Sequence, residues 1–143
     1  MKLTQISVFL ENRKGRLHEV CSMLGKSGIN IRALTIAETE TFGVLRIIVD
    51  KPDAALELFA RNNVTANRTD VVAVEVEDRP GGLANILKEL SEHDVNVEYM
   101  YGFIEKVTEK ALLVFRFDDT EKAVKILASH GINVVTSKDI QGL

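Results

Sequence analysis

The residues that offer chemistry in this sequence lie in two short segments of similar pattern. Residues 11–17 read Glu-Asn-Arg-Lys-Gly-Arg-Leu, and residues 77–83 read Glu-Asp-Arg-Pro-Gly-Gly-Leu. Each follows an apolar, β-rich stretch and precedes apolar residues at helical spacing, which predicts a turn from a strand into a helix. The first N–H groups of a helix lack partners and carry a partial positive charge. Each turn is therefore a candidate site for an anion such as a carboxylate.

Proline and glycine make the second segment the better candidate. Pro80 suits the first turn of a helix, where its missing N–H is not needed. Gly81 and Gly82 have no Cβ, so a small ligand could approach the backbone closely. For a single segment of this kind, a tight turn without any ligand is the alternative interpretation.

An asparagine follows each segment at the same distance. Asn30 and Asn96 begin the strand after the predicted helix, and we expect that start of the strand to lie near the turn. A zwitterionic amino acid would find helix N–H groups there for its carboxylate, and an oxygen of an Asn or Asp for its ammonium group. The alternative is that these asparagines only cap turns, as Asn often does. The residues alone leave both interpretations open.

The similarity of the two segments extends over nearly the whole chain. Apolar residues of the first predicted helix, Leu17, Val20 and Leu24, correspond to Leu83, Ile86 and Leu90. The match continues through the strands and the second helix of each copy. Internal duplication predicts two copies of one structural unit.

The order of elements predicts an α+β fold made of two tandem ferredoxin-like β-α-β-β-α-β units, with antiparallel sheets and helices on one face. The units are expected over residues 1–69 and 70–143, with a short connection at 68–70. The predicted helices are 15–26, 52–61, 82–93 and 120–129. The predicted strands are 3–10, 29–37, 42–49, 64–67, 71–77, 95–103, 110–117 and 132–136, with a hairpin turn at 106–109 and a tail after 136.

Composition excludes several classes of function. The 143 residues are 45% hydrophobic and carry a formal net charge of −3, which disfavours nucleic acid and anionic membranes as partners. A single cysteine suits a reducing cytosol, and the first residues do not resemble a signal peptide. A cytoplasmic location is therefore expected.

Catalysis and metal binding are not expected either. Cys21 lies in the apolar stripe of the first helix, where a buried cysteine is ordinary. His18, His93 and His130 occupy no equivalent positions in the two copies, and none has a nucleophile at a suggestive spacing. We predict no catalytic residue, no metal and no cofactor.

The two loops, the helical stripe and the Gly-Ile-Asn-Ile sequence at 28–31 resemble the ACT domain family of small amino-acid-sensing units. The resemblance covers residues 3–68 and 70–138 and implies a non-catalytic regulatory protein. It also implies that a free L-amino acid binds at an interface between units. A regulatory subunit that docks on an amino-acid biosynthetic enzyme is the alternative, and a small ferredoxin-like enzyme is a third.

The resemblance implies ligand-binding residues in both copies. In the first copy they are Asn12, Gly15, Arg16, Leu17, Asn30 and Ile31. In the second copy they are Asp78, Pro80, Gly81, Gly82, Leu83, Asn96 and Val97. The first copy departs from the motif at Arg16, which would either block that site or offer a charge to the ligand. A homodimer is also expected, because strand residues such as Ile6, Phe9, Ile47 and Phe115 could form an apolar surface.

Overall fold

The computed structural model describes residues 2–104 and 109–141. The chain divides into two compact units. The N-terminal unit is Thr4–Thr69, and the C-terminal unit begins at Asp70 and takes in Leu3.

The N-terminal unit has the predicted β-α-β-β-α-β order. Its elements are β1 (Leu3–Glu11), α1 (Arg16–Lys26), β2 (Ile31–Glu38), β3 (Phe42–Val49), α2 (Pro52–Arg61) and the first part of β4 (Ala66–Val76). The sheet order is β4-β1-β3-β2, and β3 pairs antiparallel with both β1 and β2. Alternate residues of β1 and β3, such as Val8 and Leu45, face the core beside Leu24 and Phe59 of the two helices.

The C-terminal unit repeats this arrangement. Its elements are the second part of β4, α3 (Gly82–Glu92), β5 (Val97–Gly102), β6 (Ala111–Phe117), α4 (Thr120–Ser129), β7 (Val134–Val135) and α5 (Ser137–Gln141). The sheet order is β7-β4-β6-β5. Val74, Phe115 and the helical residues Leu90 and Leu127 share its core. The predicted pair of ferredoxin-like units with helices on one side is confirmed.

The predicted break at 68–70 is wrong, because β4 is one strand of 11 residues. Its polar middle suggested a connection, since such residues are poor strand formers. Hydrogen bonds hold this stretch extended: the hydroxyls of Ser7 and Thr69 lie 3.0 Å apart, and the Arg116 guanidinium donates to the Asp70 carbonyl at 2.8 Å.

The tail after 136 contains a helix that the prediction missed. The Thr136 N–H donates to the Asp139 carboxylate at 3.1 Å, and the Thr136 hydroxyl donates to the same oxygen at 2.9 Å. The Asp139 N–H donates in return to the Thr136 hydroxyl at 3.5 Å, so the arrangement is a capping box at the start of α5, and the sequence Thr-Ser-Lys-Asp is its signal. Ile140 is buried on the same helix. The predicted hairpin turn at 106–109 lies largely outside the described residues.

Two further expectations were wrong in detail. Pro80 is not in the first turn of a helix, because α3 begins at Gly82 after the N-cap residue Gly81. Ile6, Ile47 and Phe115 are fully buried in the cores, so they offer no surface to another chain. Their side chains belong to the sheet face that the helices cover. Phe9, by contrast, is 40% exposed.

Candidate functional site

The first turn, between β1 and α1, begins its helix as predicted. Gly15 is the N-cap residue and has a φ of 83°, a conformation that glycine adopts without strain. Within the described residues, the N–H groups of Leu17 and His18 have no hydrogen-bond acceptor. The Leu17 side chain is 40% exposed. The helix start is thus free to accept a hydrogen-bonding partner.

Ion pairs within the N-terminal unit cover this turn. Arg16 Nη1 lies 3.0 Å from the Glu19 carboxylate, and Arg16 Nε lies 3.2 Å from that of Glu11, outside hydrogen-bond geometry. Arg13 also donates to Glu19. Hydrogen bonds from Arg16 and then Arg13 lower the pKa of Glu19. The Arg16 side chain is only 16% exposed, so its charge is already engaged by its own unit.

The second turn, between β4 and α3, has more open space. Gly81 has a φ of 84°, and no atom lies within 4 Å of where its Cβ would be. The N–H groups of Leu83 and Ala84 have no acceptor among the described residues. Gly82 differs, because its Cβ would lie 2.0 Å from the carbonyl oxygen of Glu77. Its missing side chain therefore accommodates the chain's own backbone rather than a ligand.

Asn12 and Asp78 occupy equivalent exposed positions in the two turns. The Asn12 side-chain amide donates to the Thr39 carbonyl at 3.1 Å, and its backbone N–H donates to the Thr41 carbonyl at 3.0 Å. Asn12 therefore ties the first turn to the connection between β2 and β3. Pro80 is exposed beside Asp78.

The asparagines do not lie near the turn of their own unit, contrary to expectation. In the C-terminal unit, β6 pairs Ala111 with Val76 beside the turn and Phe117 with Val97 at the start of β5. Six steps along an antiparallel strand cover about 20 Å. The N-terminal unit has the same register, so Ile31 pairs with Val49 at the end opposite the turn. A helix of 11 residues separates the two ends in each unit.

The backbone groups of both asparagines are held locally. The Asn30 N–H donates to the Asp50 carboxylate at 2.9 Å, and the Asn96 N–H donates to that of Asp118 at 3.0 Å. Both asparagine side chains are exposed, while Ile31 and Val97 pack partly buried against their cores. The side chains of Asp50 and Asp118 therefore hold the backbone at both asparagines, and these bonds do not use the asparagine side chains.

A cleft that the sequence analysis missed lies beside the second turn, entirely within the C-terminal unit. Its volume is about 300 Å³, at the lower end of the range for small-molecule sites. Its lining comes from the end of β4, the start of α3, the residue before β6 and the turn between α4 and β7. The lining residues are Glu75, Glu77, Arg79, Gly82, Asn85, Ile86, Glu89, Lys110, His130, Gly131, Ile132 and Asn133. We call this the C-terminal cleft.

Three acidic side chains along the cleft each have a polar partner. The Glu89 carboxylate lies 2.8 Å from Nε2 of His130, and Asn133 donates to the Glu75 carboxylate at 2.8 Å. Arg79 forms a short ion pair with Glu77, and a hydrogen bond from Arg79 lowers the pKa of Glu77. Both signs of charge therefore border one small space, which suits a ligand that carries both.

The first copy has different residues at the positions that line this cleft. Phe9 corresponds to Glu75, because its N–H donates to Thr65 as that of Glu75 donates to Asn133. Phe42 corresponds to Lys110, since Phe42 precedes the partner of Leu10 in the sheet and Lys110 precedes the partner of Val76. Arg16 takes the place of Gly82. The charged cleft is therefore a property of the C-terminal unit. Comparing these paired positions in the two copies could have revealed it.

Residues 2–104 and 109–141 contain no group of three or more His, Cys, Asp or Glu side chains placed to hold a metal ion. No helix in these ranges is long and apolar enough to cross a membrane.

Comparison with known proteins adds the family. A family model described as an ACT domain pair matches residues 1–143. Protein BT0572 from Bacteroides thetaiotaomicron is similar in structure, with 39% identity, a TM-score of 0.93, and coverage of 100% of this chain and 98% of that chain. No curated protein matches the sequence.

Two more distant structures share the fold. The regulatory subunit of aspartate kinase from Thermus thermophilus has 16% identity and a TM-score of 0.61, over 88% of this chain and 91% of that chain. The regulatory subunit of aspartate kinase from Thermus flavus has 15% identity and a TM-score of 0.56, over 88% of this chain and 90% of that chain. The doubled unit and the match along the whole sequence show that the chain belongs to the ACT domain pair family, whose members are typically regulatory and non-catalytic modules.

Proposed function

We propose that this protein is a non-catalytic regulatory protein that binds a free L-amino acid in its C-terminal unit, at the second turn and the cleft beside it. The observation that carries the proposal is the cleft of about 300 Å³ with both signs of charge next to a helix start. The N–H groups of Leu83 and Ala84 at that helix start have no acceptor among the described residues. A free amino acid needs this combination, because it presents a carboxylate and an ammonium group together.

Each end of the ligand has a complementary partner in this proposal. The carboxylate would accept hydrogen bonds from the first turn of α3 and from Arg79, since a helix start favours anions. The ammonium group would approach the carboxylates of Glu75 and Glu89, which also line the cleft. Asp78, Pro80 and Gly81 form the outer rim of the turn, where Gly81 leaves open space.

Other predicted ligand residues take no part in this site. Asn96 and Val97 are about 20 Å from the turn of their own unit, by the strand register. In the N-terminal unit Arg16 is paired with Glu11 and Glu19 and is only 16% exposed, whereas Arg79 is 59% exposed, so we propose no ligand at the first turn. The predicted contribution of Asn30 and Ile31 stays a prediction.

Ligand binding would act by shifting the population of this protein between two conformations. A ligand can do so only as far as its affinities for the two states differ, typically by about 1–3 kcal/mol. The affected process would lie in another protein, because an ACT domain pair is typically non-catalytic. Docking on an amino-acid biosynthetic enzyme is the second candidate, and the fold shared with regulatory subunits of aspartate kinase favours it.

Calorimetry with each of the twenty amino acids would test the proposal. We expect one or a few to bind with a stoichiometry of one per chain and to raise the melting temperature, because a ligand of the native state stabilises it. Arg79→Gln should weaken binding roughly tenfold or more, by loss of a charge-assisted hydrogen bond. Arg13→Gln, the matching change in the first copy, is the control and should leave binding unchanged. Absence of saturable binding to every amino acid would overturn the proposal.

A further inference from the structure

The C-terminal cleft runs along one side of α3. Four of its lining residues are three or four positions apart in sequence, the spacing of one helix face. They are Gly82, Asn85, Ile86 and Glu89. Gly82 lies at the helix start beside the N–H groups of Leu83 and Ala84, and six residues separate Leu83 from Glu89, a rise of about 9 Å along the axis. The cleft therefore leads from the helix start to a carboxylate about two turns away.

Positive charge gathers at the end of the cleft where the helix starts. Arg79 lies in the turn itself, and Lys110 lies beside Glu77 because the next residue, Ala111, pairs with Val76. A hydrogen bond from Arg79 and, to a smaller extent, the charge of Lys110 lower the pKa of Glu77. The helix start adds its own partial positive charge. This end of the cleft suits the α-carboxylate of the ligand.

Glu89 provides an acceptor at the other end of the cleft. Its side chain is 30% exposed and lies 2.8 Å from Nε2 of His130. A carboxylate can accept about four hydrogen bonds, so this contact leaves acceptor positions for a ligand. The corresponding residue of the first copy is Met23, which packs against the N-terminal core. The repeated fold therefore does not require a carboxylate at this position.

The middle of the cleft is apolar. Ile86 is buried, Ile132 packs partly buried against the same core, and both line the cleft. The methylene stem of a long charged side chain covers such a surface while its charged end reaches a polar partner. An extended lysine or arginine side chain spans about 6 Å, from five bonds of about 1.5 Å in a zigzag. A charge-assisted hydrogen bond of about 3 Å then completes the distance to Glu89.

The charge of the lining favours the same class of ligand. Three carboxylates and two lysine or arginine side chains border the cleft. With His130 counted as neutral, one negative charge is left over. The α-carboxylate and α-ammonium groups of an amino acid do not alter this balance. A cationic side chain neutralises the remaining charge, whereas an acidic side chain would bring a second negative charge toward Glu89.

We propose that the amino acid bound in the C-terminal cleft is a basic one, lysine or arginine. Its α-carboxylate lies at the start of α3, its side chain follows Ile86, and its terminal cation pairs with Glu89. Glu75 is then left for the α-ammonium group. The inference rests on the proposed function, because it assigns the side-chain class of the ligand of that same site.

Calorimetry with lysine, arginine and norleucine tests the assignment. Norleucine has the four-carbon stem of lysine without the terminal ammonium group. We expect lysine or arginine to bind roughly tenfold or more tightly than norleucine, because a hydrogen bond to a charged group is lost. Glu89→Gln should remove most of this preference and leave the affinity for norleucine nearly unchanged. Glu92→Gln, one turn further along α3 and outside the cleft lining, is the control and should keep the preference.

The ratio of the lysine and norleucine dissociation constants separates a ligand contact from a structural role of Glu89. If Glu89 only held His130 in place, Glu89→Gln would weaken both ligands alike and leave the ratio unchanged, which would overturn the inference. Tighter binding of an acidic or apolar amino acid, with the expected dependence on Arg79, would also overturn it while leaving the proposed function intact. Absence of binding by all twenty amino acids would overturn both.

Discussion

The carboxylate of Glu89 and Nε2 of His130 lie 2.8 Å apart, which joins the middle of α3 to the end of α4. Nδ1 of the same ring lies 2.8 Å from the Ile126 carbonyl oxygen. Both ring nitrogens therefore have hydrogen-bonding partners, which fixes the orientation of the ring. The pair fixes one wall of the C-terminal cleft.

We predict that Glu89→Gln lowers the free energy of unfolding by about 0.5–1 kcal/mol, because a partly exposed polar contact contributes modestly. The same change should weaken amino-acid binding, since it removes a carboxylate from the cleft. Urea denaturation and calorimetry measure the two effects. Glu92→Gln is the control, because its partner Lys88 is 3.9 Å away and the pair is exposed. If Glu89→Gln and Glu92→Gln affected amino-acid binding equally, the role of Glu89 in binding the ligand would be contradicted.

Gly82→Ala should destabilise the protein by about 1–3 kcal/mol, the usual cost of inserting a methyl group into a filled space. The new Cβ would lie 2.0 Å from a backbone oxygen, so the start of α3 must move away from β4. Gly25→Ala in α1 is the matched control. No atom lies within 4 Å of its Cβ position, and alanine stabilises a helix relative to glycine by about 0.5–1 kcal/mol. Chemical denaturation should therefore give changes in the free energy of unfolding of opposite sign for the two variants. A Gly82→Ala variant as stable as wild type would show that residue 82 is not in close contact with the Glu77 carbonyl oxygen.

The fold was predictable because its signals are local and occur twice. Apolar spacing placed helices α2 and α4 within their observed bounds, and Gly28 ends α1 with a φ of 71° as expected. The continuity of β4 was not predictable from propensity, since Ser7 and Arg116 hold its polar middle from distant parts of the chain. Tertiary hydrogen bonds outweighed the local preference there.

The candidate site was less predictable than the fold. The positions of Asn30 and Asn96 could have been derived, because an 11-residue helix is about 16 Å long and carries the chain to the other end of the sheet. The C-terminal cleft could not be predicted from any single segment of the sequence. It depends on the pairing of β7 with β4, which brings His130 and Asn133 beside α3. That pairing is made between residues far apart in sequence.

Asp139 should make the stability of α5 depend on pH. Hydrogen bonds from the Thr136 backbone and hydroxyl lower the pKa of Asp139 in the folded state. A carboxyl whose pKa is lowered by folding stabilises the protein above its unfolded pKa, near 3.9, and loses this contribution as pH falls through the folded value. Asp139→Ala should therefore be less stable than wild type at pH 7, with the difference disappearing in strong acid. Denaturant titrations from pH 7 to pH 2 measure this, and a constant difference would contradict it.

A buried polar chain in the N-terminal unit gives the last prediction. Gln5 is fully buried and its side-chain amide donates to the Ser7 hydroxyl at 3.1 Å, while that hydroxyl also lies 3.0 Å from the Thr69 hydroxyl. Ser7→Ala removes the central member and should cost about 1–3 kcal/mol, because buried polar groups lose a partner. Ser91→Ala, at an exposed position of α3, is the control and should be neutral.

A double-mutant cycle shows whether the chain acts as a unit. If Ser7 and Thr69 stabilise the middle of β4 together, Ser7→Ala/Thr69→Val should cost less than the two single changes summed, since the second change removes a group already left without its partner. Amide exchange should also be faster at residues 66–70 in both single variants, because these hydroxyls hold that stretch against β1. Additive costs with unchanged exchange would mean that the extended conformation of β4 does not depend on this pair.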